Sequence, residues 1–101
     1  MAFSDNLSIM PSIDGINALI IKKDGQEIDR IDNRPGKQGS LKLYYALLKE
    51  FETLNVKAAE KGIELFAEHV QDARDNPGKH PNIDRLDMVI KQQLTLTMEI
   101  I

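Results

Sequence analysis

Cysteine is absent from the 101 residues. Disulfides, thiolate chemistry, Cys-ligated zinc and iron–sulfur clusters are therefore excluded. Histidine occurs only twice, as His69 and His80, so a His-rich metal site is excluded too, and neither a metal nor a cofactor is expected. An excess of positive charge is also missing. The formal net charge is −3 and the pI about 5.3, which argues against a broad phosphate-backbone footprint and makes nucleic acid an unexpected partner. A local basic spot is still allowed. No apolar run approaches the roughly 20 residues that span a bilayer. The stretch Met1-Ala2-Phe3-Ser4-Asp5-Asn6 has neither a basic n-region nor a continuous apolar h-region, as a secretory leader would. No lipidation motif appears, so the expectation is a cytoplasmic protein without membrane contact.

What remains is globular composition, with 42% hydrophobic and 29% charged residues, and a length that suits one domain over residues 1–101. Ser4 reads as the cap of a short helix through Met10, ended by Pro11. Ser12 to Gly15 reads as a turn. Ile16 to Lys23 is rich in aliphatic and β-branched residues and predicts a strand. Asp24-Gly25 has the composition of a two-residue type I′ turn, and Glu27 to Asp32 is the return strand. That register sets Lys22 opposite Glu27 and Ile21 opposite Ile28, one favourable ion pair and one apolar pair.

Ser40 is an expected N-cap for an amphipathic helix over residues 41–52, on the spacing of Leu41, Tyr44, Tyr45, Leu48 and Phe51. The adjacent tyrosines diverge by roughly 100°, and both are read first as packing residues. Asn55 caps the next helix, whose stripe is Ala59, Gly62, Ile63, Phe66, Val70 and Ala73, with Glu64, Glu68, Gln71 and Asp72 on the wet side. Pro77-Gly78 ends it. Asn82 caps a further helix through Ile83, Leu86, Val89 and Ile90, with Asp84, Arg85 and Asp87 as its charged face. Leu94, Leu96, Met98 and Ile100 alternate with polar residues, the pattern of a half-buried strand. The expected fold class is α+β, a small and mainly antiparallel sheet of N-terminal hairpin plus C-terminal strand, packed by three helices. At a sheet edge the last strand would pair with a second copy, and the small core favours such a homodimer; a central position would close that route.

The least expected pattern is a near-repeated loop. Asp32-Asn33-Arg34-Pro35-Gly36-Lys37-Gln38 recurs as Asp75-Asn76-Pro77-Gly78-Lys79-His80. Pro-Gly is turn chemistry and Lys keeps loops soluble, so the simplest reading needs no ligand. Chain reversal alone, however, does not call for a Lys after each Pro-Gly. Arg34, Lys37 and Lys42 lie within nine residues that contain no acid. Lys79 and His80 directly precede a helix start. Backbone N–H groups at such places cradle anions, so Arg34, Lys37, Lys79 and His80 are the ligand-binding candidates. Gly36-Lys37-Gln38-Gly39-Ser40 lacks the Gly-Lys-Ser/Thr order of a nucleotide-binding P-loop. His69 and Asp72, three apart with Glu68 adjacent, are weaker acid–base candidates, because that spacing is common on solvated helix faces.

Several of these segments, namely Asn6-Leu7 with Pro11-Ser12-Ile13-Asp14, Pro35 to Leu41, Ala67-Glu68-His69, Asp72-Ala73-Arg74 and Pro77 to Asp84, together resemble a family of small proteobacterial proteins catalogued only as a domain of unknown function. The resemblance covers nearly the whole chain and implies a bacterial setting. It carries no activity and assigns no residue a role. The expected function is thus a non-enzymatic binding or adaptor protein, self-associating, with an anion- or acidic-group site at the two Pro-Gly-Lys loops and an unidentified protein or small anionic ligand as partner. The alternative is a small-molecule enzyme with His69 or His80 as acid–base group and Arg34, Lys37 or Lys79 holding an anionic substrate. That alternative requires the histidines and the basic loops to share one concavity.

Overall fold

A computed structural model describes residues 2–101; Met1, the first residue of the stretch considered as a leader, lies outside the described residues. The elements run α1 (Phe3–Leu7), β1 (Ala18–Lys23), β2 (Gln26–Asp32), α2 (Gln38–Phe51), β3 (Thr53–Leu54), α3 (Val56–Phe66), α4 (His69–Asp75), α5 (Pro81–Gln92) and β4 (Leu96–Ile100). The strands form one antiparallel sheet in the order β2-β1-β4-β3, and the fold is α+β as expected.

Asp24 and Gly25 both take positive φ, 53° and 83°, the requirement of a type I′ turn. Lys22 faces Glu27 as predicted, but a bulge between Ile21 and Lys22 then shifts the register, so that Ile21 faces Asp29 instead of Ile28. The extra residue leaves Ile28 46% exposed while Ile31 is buried in the core. It also turns Asp29 toward the helices, where Arg85 meets it. β4 starts at Leu96, two residues later than the alternation suggested. Leu96 and Met98 are buried, whereas Ile100 is 42% exposed. β4 lies between β1 and the two-residue β3, which pairs with Leu96 and Thr97 and so withdraws those two residues from pairing with a second copy.

The helices cover one face of the sheet. Leu41, Tyr44, Leu47, Ala58, Ala59, Phe66, Ile83, Leu86 and Val89 meet Leu19, Ile21, Ile31 and Leu96 in the core. Asn55 caps α3 as predicted, its Oδ1 accepting from the Ala58 N–H at 2.9 Å. Gly62 marks a close crossing: a Cβ there would lie 2.7 Å from Leu86 Cδ1 and 3.1 Å from Leu47 Cδ1. The predicted single helix from Asn55 to Pro77 is instead two. Ala67, with φ 53° and ψ −120°, breaks it between α3 and α4, although Val70 and Ala73 still reach the core. Asn6 is buried alongside this break and donates from Nδ2 to the Leu65 carbonyl at 2.9 Å.

Three predicted caps are displaced. α1 runs from Phe3 with Ala2 at its cap, not Ser4. α2 begins at Gln38 after Lys37, so Ser40 sits within its first turn. α5 begins at Pro81 after His80, with the proline at a position whose N–H would have no intrahelical acceptor. Asn82 is therefore not a cap, and its Oδ1 accepts from Arg85 Nη1 at 2.9 Å. Arg85 itself is not on a charged face. It is only 7% exposed, donates to the Tyr44 hydroxyl at 3.1 Å and pairs with Asp29. The Tyr44 hydroxyl donates to the Asn82 carbonyl. Burial pushes the Tyr44 phenol up to about 12, against the opposing pull of Arg85.

Candidate functional site

The two Pro-Gly-Lys loops are the same turn. The Lys37 N–H donates to the Arg34 carbonyl at 2.9 Å, and the Lys79 N–H to the Asn76 carbonyl at 3.0 Å. Proline follows the accepting residue in each, and the next residue is a glycine with φ +87° (Gly36) or +92° (Gly78). Those are the demands of a type II turn, whose third position favours glycine because φ is positive there. Turn chemistry therefore accounts for the Pro-Gly pairs. It leaves the fourth position open, and in both copies that position is Lys.

The two turns meet. Gly36, Lys37, Gln38, Gly39 and Ser40 from the first loop line one cleft with Lys79, His80, Pro81 and Asn82 from the second. The cleft has a volume of about 640 Å³, and Phe3, Phe66, His69 and Ile83 complete its lining. Both α2 and α5 begin at it, so the positive ends of two helices lie at the same cleft. Lys37 makes no side-chain capping bond. Among the described residues the N–H groups of Gln38, Gly39 and Ser40 have no hydrogen-bond partner, the first capping bond being Leu41 N–H to the Lys37 carbonyl at 3.0 Å. These are the unpaired donors of a helix start.

Behind His80 lies Asp72. Its carboxylate accepts from Lys79 Nζ at 3.0 Å and from Asn76 Nδ2 at 3.0 Å, and lies 2.7 Å from His80 Nε2. The His80 contact, followed by the Lys79 bond, pulls the Asp72 carboxyl down to about 2. Asp72 thus pairs with His80 and not with His69, the partner suggested by sequence spacing. The His69 ring nonetheless reaches the same place, with its centroid 6.0 Å from that of His80. On its other side it meets Phe3 edge-on at 5.0 Å, and Phe3 stacks on Phe66 at 5.4 Å. Phe3 is anchored through its backbone, whose N–H donates to Glu68 Oε1 at 2.8 Å and draws that carboxyl below its ordinary value. Gly39 makes room for the ring, since a Cβ there would lie 3.2 Å from Phe3 Cε2.

Of the candidates read from sequence, Lys37, Lys79, His80 and His69 line the cleft, Asp72 stands behind it, and Arg34 is not among the lining residues. Lys42 lines a second recess of about 410 Å³ that shares Gln38 and Gly39. Among the described residues Lys37 takes part in no ion pair, whereas Lys79 is shared with Asp72. No group of three or more His, Asp or Glu among the described residues is placed to hold a metal ion. Likewise none of the described helices is long and apolar enough to cross a membrane. Phe3 and Phe66 have no sequence signal as site residues; helical spacing marks Phe66 as packing, and Phe3 is given no role.

A family described as "Uncharacterized protein conserved in bacteria (DUF2322)" has a sequence model that matches residues 3–100. No significant match is found to a curated protein or to a solved structure.

Proposed function

The chain belongs to this family of uncharacterised bacterial proteins, and we propose that within it the cleft between the two Pro-Gly-Lys turns is a binding site for a small anionic ligand or an acidic group of a partner. In this reading the protein is a binding or adaptor protein rather than an enzyme. The observation that carries it is that two turns of one type, far apart in the chain, each bring a lysine to the same concavity. Lys37 supplies an uncommitted charge, and the first-turn N–H groups of α2 supply donors. Lys79 contributes less, because Asp72 already shares it. The test is an amide NMR titration with inorganic phosphate at constant ionic strength, with chloride as control. Saturable shifts at Gly36–Ser40 and at His80–Ile83 that vanish in the Lys37→Ala/Lys79→Ala double variant support the site. Absence of shifts, or shifts that survive the double variant, overturns it.

One observation favours a second reading, acid–base catalysis on an anionic substrate. His80 lines the cleft with Asp72 2.7 Å from its Nε2, the arrangement that orients an imidazole for proton transfer. Under this reading His80→Asn abolishes turnover while anion binding at Lys37 persists. Unchanged ligand after prolonged incubation with the protein counts against it.

A further inference from the structure

The cleft has an apolar side as well as a charged one. Phe3, Phe66 and Ile83 line it, and the Phe3 ring is fixed by Phe66 stacked on it, His69 at its edge and close packing over Gly39, which has no Cβ to displace it. At about 640 Å³ the volume falls within the range of roughly 300–1,000 Å³ typical of small organic ligands, and a bare inorganic ion would leave the apolar wall wet. The charge supply is also limited. Lys37 is uncommitted, Lys79 is held by Asp72, and Glu68, Asp72 and Asp84 stand close by, the last accepting from the Gly78 N–H at 3.0 Å. Such a surround accepts one anionic group and repels a chain of them.

We infer that the ligand of this cleft is an amphipathic organic anion: one carboxylate or phosphate monoester group joined to an apolar body about the size of a ring. This rests on the binding reading above and names its ligand class. The anionic group lies toward Lys37 and the start of α2, and the apolar body lies against Phe3 and Ile83.

The experiment compares methyl, butyl and phenyl phosphate, pyrophosphate and phenol on the full chain by NMR titration at one pH and ionic strength. The shared headgroup isolates the apolar body. Phenyl phosphate is expected to bind about tenfold or more tightly than methyl phosphate, as partial burial of a ring implies, with butyl phosphate between them and pyrophosphate no tighter than methyl phosphate. Intermolecular contacts from the phenyl protons to Phe3 and Ile83 should appear in the unaltered protein, a readout that does not depend on a Phe3 variant keeping α1 in place. Equal affinities for methyl and phenyl phosphate, both lost in Lys37→Ala, overturn the amphipathic ligand and leave the anion site standing. Tighter binding of pyrophosphate also overturns it. If phenol binds as well as phenyl phosphate, or if no phosphate binds at all, the anion site falls and this inference with it.

Discussion

Tyr44→Phe removes one oxygen from the centre of the molecule, and its cost follows from what that oxygen touches. The residue is fully buried, its hydroxyl donates to the Asn82 carbonyl, and it accepts from Arg85 Nη1 at 3.1 Å. Arg85 keeps Asn82 Oδ1 and Asp29 as partners, so its charge is not abandoned. One neutral hydrogen bond is lost at a net cost of about 1 kcal/mol, and one charge-assisted bond at about 1.5–3 kcal/mol; allowing for the retained partners, the sum is about 2–3 kcal/mol. For a domain of this length that lowers Tm by roughly 10–20 °C. Urea unfolding should show a lower midpoint with an unchanged slope, the signature of lost stability without a changed unfolded state. Tyr45→Phe is the control, because no hydrogen bond of its hydroxyl is found among the described residues, and it should stay within about 0.5 kcal/mol of the parent. Because Asn82 lines the cleft, Tyr44→Phe should also move the amide resonances of Asn82 and Ile83. A Tyr44→Phe protein as stable as the Tyr45→Phe control would refute the idea that this buried network anchors the start of α5.

Gly62→Ala should destabilise by about 1–2 kcal/mol despite the better helix propensity of alanine, because the new methyl meets the buried Leu86 and Leu47 side chains; a gain in urea midpoint would contradict that crossing. Ala67→Gly should stabilise by about 1 kcal/mol, since the positive φ at the α3–α4 break strains any residue with a Cβ, and unchanged or lower stability would argue against the strain. Asp72 has its carboxyl lowered in the folded protein from the usual 3.8 to about 2. The unfolded chain therefore takes up that proton first on acidification. The resulting stabilisation is present above pH 3.8 and is lost as pH falls through about 2, so acid titrations of the parent should drop more steeply in that window than those of Asp72→Asn, and matching acid limbs would refute the pairing with His80 and Lys79.

Much of the fold was legible because the deciding signals are local. Asp24-Gly25 specified the hairpin turn, the alternation from Leu94 to Ile100 specified a C-terminal strand whose buried positions are Leu96 and Met98, and Asn55 capped α3 in the expected way. What escaped has non-local causes. The break at Ala67 carries neither glycine nor proline, and a two-residue strand such as β3 is too short to show any alternation. Arg85 looked like part of a solvated face until Tyr44 and Asp29, distant in sequence, came to meet it. The bulge that brings Asp29 to Arg85 leaves no mark in the order of residues. At the cleft, the lysines and His80 could be chosen from the repeated turn, but spacing paired Asp72 with His69, its neighbour along one helix. The Pro77-Gly78 turn instead folds the chain back and delivers His80 to Asp72. Phe3 and Phe66 became cleft residues only once α1 had docked beside α3.

The central claim is that the two Pro-Gly-Lys turns act as one anion site. The most direct measurement is the affinity of inorganic phosphate for the parent, Lys37→Ala, Lys79→Ala and the double variant at fixed ionic strength. Lys37→Ala should weaken binding more than Lys79→Ala, whose charge Asp72 already shares, and the double variant should lose it. Equal, undiminished binding in all four proteins, or none in the parent, would contradict the account.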